Sequence, residues 1–143
     1  MENLASDKKE FVNSFLDKPI LARIATVSPS GQPHVVPLWF GWDGTSLWIH
    51  TGAGSRKFRD LLANPLVSVS IDESLSGNGP TKAVILEGHA QLHYPLDAAE
   101  QERVAWIYSR YLGAERVHEK TYQKEIHSPS SGLIQLTPEK ILT

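Results

Sequence analysis

The sequence contains no cysteine, which excludes disulfides, thiolate zinc sites and cysteine nucleophiles. No apolar run approaches the ~20 residues a membrane-spanning helix needs. The start, Met1-Glu2-Asn3-Leu4-Ala5, lacks the basic and apolar regions of a signal peptide. The cytoplasm is therefore the expected compartment, and no membrane partner is expected. Neither sign of charge dominates: 14 Lys and Arg stand against 16 Asp and Glu, a formal net charge of −2. That balance argues against broad electrostatic binding of nucleic acid. Repeats and low-complexity tracts are absent, and so is the G-x-S-x-G elbow of serine hydrolases.

What is present suits one globular domain spanning residues 1–143, with 41% hydrophobic residues. A short first helix is expected, capped by Ser6 or Asp7, with Phe11, Phe15 and Leu16 on one side and Lys18-Pro19 ending it. The period then shortens. Strands are expected over Leu21–Val27, Gln32–Trp42, Leu47–Thr51, Leu66–Ile71, Ala83–Tyr94 and Leu133–Thr137, the last interrupted by Pro138. Ser28-Pro29-Ser30-Gly31 reads as a turn, Asp43-Gly44 as a hairpin and Ser74 to Pro80 as a flexible connection. Gly88 marks a bulge or a close approach. Asp97 and Glu100 open a later helix, with Val104, Ile107, Tyr108, Tyr111 and Leu112 as its apolar stripe and Gly113 at its end. Glu115 to His127 suits a second, more polar helix. The fold class that follows is mainly β: a six-stranded antiparallel barrel with peripheral helices.

One segment breaks an electrostatic rule. Ser55 is a good N-cap for a helix that ends at Asn64-Pro65. Arg56, Lys57 and Arg59 then sit at the positive end of the helix dipole, where acids are favoured. An anion there would reverse the sign. Free N–H groups, Gly52, Gly54 and the cations together suit a phosphate. A solvated, basic first turn is the plainer account, and this segment alone leaves both open.

Other constellations carry less. His89 and His93 lie four apart on a strand, which is not a helical chelate, and no carboxylate–histidine spacing suits a metal. No metal site is expected. Trp39, Trp42 and Trp48 cluster around one hairpin, as core or interface packing or as an aromatic wall for a planar ring. Arg23 either points toward a bound phosphate or projects to solvent. Asp72-Glu73 reads as a solvated strand end.

Gly31-Gln32-Pro33-His34, Gly54-Ser55-Arg56-Lys57 and Asn64-Pro65-Leu66-Val67-Ser68-Val69, in that order and spacing, resemble the pyridoxamine 5′-phosphate oxidase-like split-barrel family. The resemblance runs from about Leu21 to Tyr94 and resumes in the last strand. It implies FMN, or the deazaflavin coenzyme F-420, at the interface of a homodimer. It implies that Ser55, Arg56 and Lys57 hold the cofactor phosphate, with His50 and Thr51 beside the ring and ribityl chain. The backbone of Val36, Pro37, Leu38 and Trp39, continuing to Gly41, would then run along the isoalloxazine. A strand-end His50 bonded to backbone is the alternative. The vitamin B6 oxidases carry Arg at Val36, Lys at Gly41 and Gln at Ala83, so oxidation of pyridoxamine phosphate is not expected. The implied activity is hydride transfer to a small planar substrate by a flavin- or deazaflavin-dependent oxidoreductase. No acid or base residue is assigned, because the cofactor carries that chemistry. The alternative is a non-catalytic protein of the same fold that binds flavin or haem.

Overall fold

The computed structural model describes residues 4–73 and 82–143. The expected connection from Ser74 to Pro80 lies outside them. The order is α1 (Ser6–Leu16), β1 (Ala22–Val27), β2 (Pro33–Leu38), β3 (Gly41–Trp42), β4 (Leu47–Gly52), α2 (Arg56–Ala63), β5 (Leu66–Glu73), β6 (Lys82–His93), α3 (Ala98–Arg116), α4 (Lys120–Ile126), β7 (Ser131–Leu136) and β8 (Lys140–Leu142).

The strands form one curled antiparallel sheet in the order β2-β1-β5-β6-β7-β4-β3, with β8 also beside β6. The expected six strands become eight. The Gln32–Trp42 run divides into β2 and β3, and the chain re-enters the sheet as β8 after Pro138. The long strand β6 closes the curl. Its first part pairs with β5 and β8, and Ala90 to His93 pair with β7. The change of partner comes at Gly88. A β-carbon there would stand 3.1 Å from Leu136 Cδ1 and 3.2 Å from Glu139 Oε2, so this is the close approach the glycine predicts.

Two apolar cores result. The inner one gathers Ile24, Phe40, Ile49, Val69, Leu86 and Ile134 inside the curl, under α1 and α2. The outer one packs α3 and α4 on the other face of β4 and β7, through Trp48, Val104, Ile107, Tyr108, Ile126 and Leu133. Period two assigns each residue to its core: Leu47 and Ile49 face inward, and Trp48 faces the helices.

The helices follow their signals with two corrections: the expected helix from Glu115 to His127 starts only at Lys120, because α3 runs on through Arg116, and the α1 cap differs. Asp97 and Glu100 form the full capping box, and Gly113, at φ 89°, breaks the helical path. The α1 cap is Ala5, which has no side-chain cap bond, rather than Ser6 or Asp7. The helix starts one residue earlier, and Asp7 instead lies in the first turn, where its charge suits the dipole. Asp72 and Glu73 do end β5 at the surface, and both are engaged in ion pairs there. Asp72 pairs with Arg23 and Glu73 with Lys18, each at 2.7 Å, so Arg23 is spoken for.

The β3–β4 turn is held by Asp43. Its Oδ1 accepts from the N–H groups of Thr45 (2.8 Å) and Ser46 (2.7 Å), and its Oδ2 accepts from Trp48 Nε1 at 2.9 Å. Gly44, at φ 97°, completes the turn. Burial opposes ionisation, but the hydrogen bonds to Ser46, Trp48 and Thr45 and the charge of Arg103 outweigh it and hold the carboxyl below its ordinary range. A depressed folded pKa means stability that is present at neutral pH and lost as pH falls through that range. Asp43→Asn is expected to cost about 1–2 kcal/mol at pH 7 in urea unfolding. The gap from wild type should narrow below the ordinary Asp range; a constant gap from pH 7 to pH 3 contradicts the charged role.

Candidate functional site

The start of α2 is fixed by packing on its apolar side. Phe58 and Leu61 are buried in the inner core. Phe58 lies flat against the backbone of β7: a β-carbon at Gly132 would stand 2.8 Å from Phe58 Cε2. Ser55 caps the helix, accepting from Phe58 N–H at 3.4 Å, and its hydroxyl bonds the buried Thr51 hydroxyl at 3.0 Å. The first N–H groups have no acceptor within the helix, as at any helix start. The loop before them is open at Gly52 and Gly54, where a β-carbon would meet no atom within 4 Å.

The two expected phosphate ligands differ. Arg56 is exposed and lies 3.8 Å from the buried Asp60 carboxylate, one turn along the same helix. Asp60 is also held by the Thr26 hydroxyl at 3.2 Å. Lys57 is half-buried and has no ion pair among the described residues. Burial pushes its ammonium below the ordinary lysine range. An exposed lysine would sit at no such disadvantage, so the fold leaves here a desolvated cation for which an anion is the fitting complement.

Beside it stands His50, on the helix-facing side of β4. It is bonded to side chains, not to backbone. Nε2 lies 3.0 Å from Ser131 Oγ and Nδ1 lies 3.1 Å from the Tyr108 hydroxyl. Tyr108 in turn donates to Glu125 Oε2 at 2.9 Å, and Ser131 donates to the Glu125 carbonyl at 2.9 Å. Burial lowers the His50 pKa, Glu125 raises it and Lys57 lowers it, with a net depression. Burial and the Glu125 carboxylate push the Tyr108 phenol far above its ordinary range, so it stays protonated.

His50 and Tyr108 line a cavity of about 160 Å³ with Leu38, Trp39 and Ile107. Trp39 stacks on Tyr111, with centroids 4.7 Å apart and planes within 4°. Of the three hairpin tryptophans only Trp39 reaches this cavity. Trp42 bonds Asn13 Oδ1 (2.9 Å), and Trp48 lies under Arg103 with the guanidinium 3.9 Å from the ring centre. Along β2 the side chains alternate. Val36 packs toward the inner core and Pro37 is exposed, so neither side chain lines the cavity. Gly41 lies beneath Trp106, whose ring would overlap a β-carbon, so no larger residue fits there. A larger groove of about 460 Å³ is lined by residues of β1, β5, β6 and β8, with two carboxylates, Glu87 and Glu139, against one cation, Lys140.

Tyr108, Glu125 and Ser131 were not legible as site residues. Tyr108 read as apolar stripe, and only the docking of α3 on β4 turns its hydroxyl to His50. Spacing could have shown the Arg56–Asp60 pair, since i,i+4 is the helical ion-pair interval.

Among curated proteins no significant sequence match is found. Solved structures share the fold at low identity. A conserved protein from Mycobacterium tuberculosis, Rv2991, superposes with a TM-score of 0.76 at 20% identity, covering 96% of this chain and 82% of its own. HutZ, the heme storage protein from Vibrio cholerae, gives 0.74 at 18% identity, covering 94% and 92%. An F-420 reductase gives 0.68 at 24% identity, covering 91% and 94%. These likenesses establish the split-barrel architecture. The sequence profile described as pyridoxamine 5′-phosphate oxidase matches residues 9–143, across the whole curled sheet and its helices, and by that extent the chain belongs to the pyridoxamine 5′-phosphate oxidase-like family.

Proposed function

We propose that the chain is an oxidoreductase that holds FMN, or the deazaflavin coenzyme F-420, through its phosphate at the start of α2. The observation that carries this is the start of α2, where Ser55 caps the helix and Lys57, half-buried on its first turn, has no carboxylate partner among the described residues. When bound, such a cofactor supplies hydride transfer, here to a small planar substrate. The residues of this chain bind and orient. Ser55 sets the helix start, Lys57 and the first-turn N–H groups meet the anion, and Arg56 adds charge from outside while leaning on Asp60. Leu38, Trp39 and Ile107 exclude water from the ring side.

The relatives' names bracket the cofactor: one is an F-420 reductase and one a heme storage protein. Haem carriage is the second reading. The position of His50 weighs against it, because both ring nitrogens lie within hydrogen-bond distance of the Ser131 and Tyr108 hydroxyls inside a closed network. An absorption spectrum of the purified protein, with mass identification of any released ligand, separates the cofactors. Turnover of reduced nicotinamide or reduced deazaflavin separates catalysis from carriage.

FMN is expected to bind more tightly than riboflavin, because every cradle element addresses an anion. Lys57→Ala should lose roughly 1.5–3 kcal/mol of FMN affinity, about tenfold to a hundredfold, with little change in urea midpoint. Arg56→Ala should lose less, since Asp60 already takes part of its charge. Both effects should shrink as salt rises. Side-by-side titration of FMN and riboflavin decides this, and equal affinity for the two removes the cradle.

The working unit is proposed to be a homodimer. One chain alone offers about 160 Å³ beside His50, against roughly 300 Å³ at the low end for ligand pockets. The outer sheet face is apolar where Val35 is 63% exposed and Leu66 53%. Pro33 and Pro37 blunt the edge of β2, which favours face-to-face contact over sheet extension. Sedimentation at micromolar concentration should show a dimer; a monomer with full cofactor affinity would defeat the claim.

A further inference from the structure

The hydrogen bonds around His50 over-count protons. Tyr108 has one hydroxyl proton and gives it to Glu125 Oε2. Ser131 has one and gives it to the Glu125 carbonyl. Both hydroxyl oxygens are then acceptors toward His50, one at each ring nitrogen. All four bonds can be made together only if both nitrogens carry a proton, that is, if His50 is an imidazolium. A neutral ring leaves one bond unmade, or forces one hydroxyl to turn from Glu125 to His50.

The charges around the ring pull in opposite directions. From α4, the Glu125 carboxylate favours the cation through Tyr108. From α2, the Lys57 ammonium opposes it, and burial opposes it further. The partner from α3, Tyr108, keeps its proton, and Ser131 on β7 does not titrate. Lys57 is thus the one opposing charge among the groups that act on His50, and it has no ion pair of its own among the described residues.

We propose that an anion bound at Lys57 is coupled to proton uptake at His50, so that filling the cradle completes the Glu125–Tyr108–His50–Ser131 network. The proposal rests on the cradle reading above and adds to it a proton. An anion cancels the Lys57 charge, the opposition to the imidazolium falls, and the ring takes a proton from solvent. The bonds then tie β4, α3, α4 and β7 around the cavity. The sign follows: if binding raises the His50 pKa, binding consumes a proton, and affinity falls as pH rises through the interval between the free and bound values.

The test follows the His50 ring by NMR against pH, using sulfate, an anion that does not itself titrate in this range. Lys57→Met should raise the His50 pKa in the free protein, and Glu125→Gln should lower it. Sulfate should raise it in wild type and leave it unmoved in Lys57→Met. Calorimetry in two buffers of different ionisation enthalpy should show proton uptake with sulfate, abolished in His50→Gln while sulfate still binds. Sulfate affinity should fall by up to about tenfold per pH unit within the window. If sulfate or FMN binds and the His50 pKa does not move, the coupling is overturned and the cradle stands. If neither sulfate, FMN nor the deazaflavin coenzyme binds, both fall together.

Discussion

Strands β4 and β7 are buried on both faces, and the site depends on that ladder. Leu47 and Ile49 of β4, with Ile134 and Leu136 of β7, belong to the inner core. Trp48 and Leu133 belong to the core under α3 and α4. A single-residue slip of register would exchange every one of these side chains between the two cores. The pairing of Ile49 with Ile134 and His50 with Leu133 is therefore strongly specified by packing. His50 faces the helices because the residues before it leave it no other side. Ser131 lies diagonally across the ladder on the same face, within hydrogen-bond reach.

From that ladder the rest of the site is placed. α2 leaves the end of β4 after Gly52, and Phe58 presses it onto β7 at Gly132, where only a glycine leaves room. The helix start therefore opens beside the same strand end that carries His50 and Thr51. α3 packs on the helix-facing side and brings Tyr108 to His50, and α4 adds Glu125. The helix start proposed to hold an anion and the His50 ring are thus neighbours through backbone geometry, not through one local motif. The bend of β6 at Gly88 lets one strand serve both halves of the sheet, and so keeps β7 in reach of β4.

The local parts of this arrangement were legible in the sequence and the distant ones were not. Ser55 as N-cap, the Asp97–Glu100 capping box, the Asp43-Gly44 turn and the alternation of β5 are short-range patterns with one physical solution. The extra strands were missed because two- and three-residue pairings such as β3 and β8 carry no period of their own. The ion pairs of Arg23 and Lys18 reach across about fifty residues, which no spacing rule covers. The partners of His50 are 58 and 81 residues away, so a strand-end histidine could only be judged by its position.

The departures from the vitamin B6 oxidases now have a physical reading. At Gly41 the ring of Trp106 occupies the space a side chain would need, so a lysine cannot stand there without moving α3. At Val36 the side chain packs, partly buried, against the inner core opposite the buried Ile24, so this position contributes no charge. Packing leaves no room for a cation at Gly41, and an uncharged residue stands at Val36, so the positive charge near this strand end is concentrated on the first turn of α2. Within that turn Arg56 already leans on Asp60 and Arg59 is exposed to solvent, so Lys57, half-buried, is the cation whose charge would change most in worth beside an anion. A cradle with one principal cation is sensitive to that cation's neighbours in a way a ring of arginines is not. On the proposed coupling, the state of His50 therefore bears on what the helix start can hold.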